Sequence, residues 1–86
     1  MSDHPNDFQG SIIDAVRDAI EAAVPGSKAS VDGGGGHYTI AVVSSEFEGK
    51  GMLACHRLVY AAIAHLMSGD RAPVHAVDSL KTSAAS

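Results

Sequence analysis

Tryptophan is absent from the 86 residues, and cysteine occurs once. A lone thiol, Cys55, cannot close an internal disulfide, nor can it build a metal or cluster site of four cysteines. No apolar run reaches the roughly 18 residues that cross a bilayer. The opening MSDHPNDFQG is acidic and polar. It lacks the basic segment and apolar stretch of a secretory signal. A soluble, cytoplasmic protein with no membrane partner is expected. Positive charge is also scarce. Six Lys and Arg stand against ten Asp and Glu, a formal net charge of -4. Nucleic-acid affinity rests largely on neutralising phosphates with basic side chains. The balance argues against strong DNA or RNA binding, although a local patch escapes an average.

What is present suits one small domain. A chain of this length buries only about 60% of its unfolded surface, so its core is thin. Hydrophobic residues make up 45% of it, which supplies a core of Ala, Val, Ile and Leu. Residues 1–10 read as a flexible leader. Ser11 is placed to cap a helix, with Asp14 three residues on as a variant capping box. Ile12, Ile13, Val16, Ile20, Ala23 and Val24 then recur at helical spacing, until Pro25-Gly26 stops the helix. Residues 28–32 form a short strand. Residues 37–44 form the best strand, with Tyr38, Ile40 and Val42 on one face and Thr39, Ala41 and Val43 on the other. Both faces are apolar, which makes it central. A second amphipathic helix covers 53–67, with Leu58, Val59, Ala62, Ile63, Leu66 and Met67 buried. VHAVDSL alternates as a last strand, and the chain closes on a tail over 83–86.

The order helix, strand, strand, helix, strand predicts a small α/β (α+β) domain. Its three-stranded mixed sheet carries helices on one face. A helical crossover between the second and third strands makes them parallel. Their starts then share one edge, which brings His37 and His75 to the same end of the sheet.

The stretch GGGGHYTI leads into a strand. A phosphate loop needs a helix N-terminus behind it, and no G-x-x-x-x-G-K-[ST] pattern is present. The glycines therefore read as a hairpin loop with His37 at its base. Neutral imidazole is a common metal ligand, but two histidines cannot complete a tetrahedral site, so thiolates must come from elsewhere. Cys55 precedes His56, yet neighbours on a helix point about 100° apart. A Cys–His nucleophile pair also lacks an orienting third residue. A small residue packed at the helix start fits Cys55 better. Lys50, Arg57 and Lys81 form a modest basic patch, by default a solvated one. No paired catalytic carboxylates, serine triad or nucleotide fingerprint occur, so the protein is read as non-enzymatic.

The segment FEGKGMLACHRLVYAAIAHLM, followed by VHAVDSLKT, resembles the BolA family, whose pattern is roughly F-x-G-x-x-x-L-x-R-H-R-x-V-Y with a later H-A-L stretch. Phe47, Gly49, Leu53, His56, Arg57, Val59 and Tyr60 match it, and His75-Ala76 matches the late histidine. The glycines before His37-Tyr38 are similar to those of small bacterial members. The resemblance covers residues 11–82. It implies a class II KH-like α-β-β-α-β domain that pairs with a monothiol glutaredoxin and shares a 2Fe-2S cluster with it. The glutaredoxin supplies a cysteine, glutathione a second thiolate, and the BolA partner histidine. The principal ligand maps onto His75 and the second onto His37, with Cys55 and His56 as further candidates. Cluster trafficking or iron sensing is the implied role. Docking would use the sheet edge and second helix, and the free chain is expected as a monomer or weak homodimer.

Two departures stand out. Cys55 replaces the arginine common before His56, and the tail KTSAAS lacks the E-W-containing final helix of many members. The competing reading is a KH-like DNA-binding transcriptional regulator of stress response or morphology. Lys50, Arg57, Tyr60 and Lys81 would then be the nucleic-acid surface rather than the partner surface. A KH site uses a G-x-x-G loop between two helices. GGGG lies between strands, and Gly49-Lys50-Gly51 has the wrong spacing.

Overall fold

Val16 and Ile20, one helical turn apart, are fully buried, as is Val24 just beyond them. Each such side chain contributes about 1.5–3 kcal/mol of transfer free energy. They anchor one helix of a computed structural model that describes residues 5–84. The elements run α1 (Pro5–Ala23), β1 (Lys28–Gly34), β2 (His37–Val43), a 3-10 turn (Ser45–Phe47), α2 (Met52–Met67) and β3 (Ala76–Ser83). The sheet order is β1-β2-β3. β2 is central, antiparallel to β1 and parallel to β3. Tyr38, Ile40 and Val42 of β2 are buried with Val16, Ile20, Cys55, Val59 and Ile63 in one core, whereas His37, Thr39 and Val43 are exposed. The helices therefore cover one face, giving the expected small α+β domain. Among the described residues, no helix is long and apolar enough to cross a membrane.

Several boundaries differ from the sequence expectation: β1 runs on to Gly34, two residues past 32, β2 stops at Val43, and α2 starts one residue early at Met52. α1 begins at Pro5, so residues 5–10 of the expected leader are helical and Ser11 lies inside the helix instead of capping it. Proline is pre-organised for the first helical position, where its missing N–H costs nothing. Residues 1–4 of that leader, and 85–86 of the tail, lie outside the described residues. β3 starts two residues later than expected and runs on through Ser83, whose carbonyl accepts a hydrogen bond from the Ser44 N–H at 3.0 Å. Leu58 is 38% exposed. Cys55, Val59 and Ile63, four residues apart, hold the inward line of α2, and Leu58 sits about 100° from it.

The buried Ser44 ties the far end together. Its Oγ donates to the Pro25 carbonyl at 2.7 Å and accepts from the Glu46 N–H at 3.0 Å. Buried polar groups persist in cores when satisfied in this way.

Candidate functional site

Gly34 pairs with His37 across the β1–β2 hairpin, leaving Gly35-Gly36 as a two-residue turn. Their φ values are +63° and +86°. Two-residue turns with positive φ at both positions match the twist of the flanking strands, and glycine adopts them without steric penalty. The four-glycine stretch is thus a hairpin, as read from its lead into a strand.

Parallel pairing sets His37 opposite Ala76, the residue after His75. Both histidines therefore stand at one rim, where β2 and β3 begin. The Gly36 carbonyl accepts from the His75 N–H at 2.8 Å and the Ala76 N–H at 3.0 Å. The His75 imidazole lies over the Gly36 Cα. A Cβ built there would come within 2.9 Å of ring atoms Cγ and Cδ2. His75 is exposed, and beside it opens a shallow cavity of about 200 Å³ lined by Met67, Asp70 and Val74 among others. The His37 side chain is 59% exposed, and its Nδ1 is 3.1 Å from Oδ1 of Asp78. Among the described residues, no cluster of three or more His, Cys, Asp or Glu side chains could hold a metal ion. The rim offers two imidazoles, with the Asp78 carboxylate beside His37.

Asp78 was not singled out in the sequence. It falls where the β2–β3 register shifts: Tyr38 faces Val77, but Thr39 faces Ser79. Val77 and Leu80 both pack on the core, yet they are three apart, which strict alternation forbids. That odd spacing was the available signal.

The other candidates lie elsewhere. Cys55 is 4% exposed in the first turn of α2, its thiol 3.9 Å from the Phe47 carbonyl and 3.8 Å from that of Lys50. It packs as a small apolar residue. His56, Lys50 and Lys81 line a groove of about 780 Å³ with Val43, Phe47 and Met52, at the end where β2 finishes. β2 spans about 20 Å at the usual rise per residue, so Cys55 and His56 do not join His37 and His75. Lys50 donates from Nζ to the Glu46 carbonyl at 2.7 Å. Arg57 and Tyr60 are exposed on α2, one turn apart, and do not line the groove.

Comparison with known proteins places these observations. The family model described as BolA-like protein matches residues 6–86. BolA-like protein 1 of Homo sapiens is 38% identical over 78 aligned residues, covering 79% of this chain and 55% of the relative. Its Pongo abelii counterpart is 37% identical over the same shares. The chain thus spans about half the length of the curated relatives it matches. Among solved structures, a bolA protein homologue from Coxiella burnetii superposes with a TM-score of 0.67 at 36% identity, over 80% of this chain and 85% of that one. BolA1 from Arabidopsis thaliana reaches 0.69 at 20% identity, over 84% and 89%, a likeness of fold alone.

Proposed function

The chain belongs to the BolA-like family, and on that premise we propose that it is a non-enzymatic adaptor that pairs with a monothiol glutaredoxin and co-ligates a 2Fe-2S cluster. The observation that carries this reading is the half-site. Two exposed imidazoles share one rim, no thiol stands beside them, and no group of three or more His, Cys, Asp or Glu side chains among the described residues could hold a metal ion. A 2Fe-2S centre takes four ligands, and imidazoles can replace thiolates on one iron. The donor set fits a cluster completed from outside. The only thiol of this chain is buried at the far end, so the glutaredoxin cysteine and glutathione are the fitting sources of sulfur. When bound, the cluster supplies a one-electron redox centre and a transferable iron–sulfur unit.

The role of the chain is positional. His75 is held at its backbone by Gly36, and its ring rests on that glycine. β3 pairs with β2 alone among the described strands, leaving an open edge beside the histidines for a partner. Trafficking or iron sensing in the reducing cytoplasm, where thiols persist, is the role proposed. The DNA-binding reading draws less support. The glycines sit in a strand-to-strand turn, and Lys50 and Lys81 lie at the opposite end from the histidines.

The test mixes the protein with cluster-loaded monothiol glutaredoxin and glutathione, recording visible absorption and circular dichroism during size exclusion. A coloured equimolar complex with a changed spectrum is expected. Separate elution with an unaltered glutaredoxin spectrum would contradict the proposal. Strong duplex binding with a steep salt slope would then favour the regulator.

A further inference from the structure

β3 carries one residue more than its pairing with β2 requires. Val77 faces the buried Tyr38 and Leu80 faces the buried Ile40, and two residues separate them where regular alternation allows one. The insertion forms a bulge, a device that re-aims a side chain and recurs beside functional sites. Here it brings Asp78 out on the exposed side of the sheet, where Oδ1 comes 3.1 Å from Nδ1 of His37, 41 residues away in sequence. An ionised carboxylate only accepts hydrogen bonds. Nδ1 must then carry the proton, which leaves Nε2 as the free lone pair of the neutral ring.

We propose that Asp78 is a positioning residue for His37, holding the imidazole in its Nδ1–H tautomer so that Nε2 is the donor presented at the rim. The purpose assigned to it rests on the cluster-adaptor reading. The tautomer itself does not. Stability alone does not account for the pair. Both side chains are more than half exposed, and exposed ion pairs contribute little to folding. Outer partners of this kind commonly orient a ligating histidine and raise its basicity. The same hairpin turn serves the second histidine, because Gly36 seats the His75 ring. The β1–β2 turn thus seats the His75 imidazole, and β3 orients that of His37.

The test begins with the protein alone, uniformly labelled with ¹⁵N, and reads two-bond proton–nitrogen correlations of the imidazoles at mildly alkaline pH. In the wild type, His37 is expected as the Nδ1–H tautomer, while exposed His65 on α2 shows both. Asp78→Ala should lower the His37 tautomer ratio roughly fivefold, the factor given by one hydrogen bond of ordinary net strength. Asp78→Asn keeps an acceptor and should restore most of it. Unchanged backbone amide shifts away from the rim verify the fold. A wild-type His37 protonated on Nε2, or a ratio indifferent to Asp78→Ala, would overturn the proposal.

The second arm uses the glutaredoxin complex. Asp78→Ala should weaken cluster retention about 10- to 100-fold, the usual cost of removing an outer partner. Wild-type retention in that variant would overturn the assigned purpose. If no complex forms with the wild type while the tautomer still depends on Asp78, the adaptor reading falls and the positioning role stands.

Discussion

His75→Ala is expected to abolish the stable shared cluster while leaving the domain folded. The side chain is exposed, and its ring lies against the glycine turn. Surface substitutions of this kind usually stay within about 0.5 kcal/mol, a melting shift of roughly 2–4 °C in a domain this size. The backbone hydrogen bond from residue 75 to Gly36 survives, because it uses the main-chain N–H. Cluster retention should fall by more than the roughly 10- to 100-fold attached to outer partners, because a first ligand is lost. The check is a melting curve beside anaerobic size exclusion with cluster-loaded glutaredoxin. Full retention of the wild-type heterodimer spectrum would remove His75 from the site.

Gly36→Ala is expected to damage both fold and site, and Gly35→Ala only the fold. Both glycines have positive φ, +63° at Gly35 and +86° at Gly36. Placing an L side chain in that region costs about 1–2 kcal/mol, a melting loss of roughly 4–16 °C. The surroundings separate the two. A Cβ at Gly35 meets nothing within 4 Å, whereas at Gly36 it comes 2.9 Å from Cγ and Cδ2 of His75 and 3.2 Å from its Cβ. Those atoms are the root of the imidazole, so the ring must leave its seat. The measurement compares His75 ring proton shifts and cluster retention in the two variants. A large His75 shift with weakened retention should appear in Gly36→Ala alone. Equal site effects would mean that the turn matters only through stability.

Much of the rim was legible because it depends on topology. A helical crossover makes the strands it joins parallel, and a strand apolar on both faces belongs in the middle of a sheet. Those two inferences place His37 beside the start of β3 without any coordinate. Asp78 is not legible under the strict period two that VHAVDSL suggests. The spacing of Val77 and Leu80 breaks that period, but the break shows only once both are known to face the core. Cys55 fits the sequence expectation of a small residue packed at the helix start, whereas Leu58 leaves the buried stripe, because Cys55, Val59 and Ile63 set the inward line of α2. The start of α1 is hidden in the sequence, because Ser11 and Asp14 imitate a capping box while residues 5–10 lack the apolar repeat that marks a buried helix face. Proline at a helix start leaves no periodic signature.

In the proposed adaptor, imidazole nitrogens of this chain bind the iron of a shared cluster. Pulsed electron paramagnetic resonance of the reduced glutaredoxin heterodimer reads it most directly, because a directly bound nitrogen couples strongly to the electron spin. Strong nitrogen coupling is expected in the wild type, diminished in His37→Ala and lost with the cluster in His75→Ala. A stable, reduced heterodimer cluster with no strong nitrogen coupling would contradict the account.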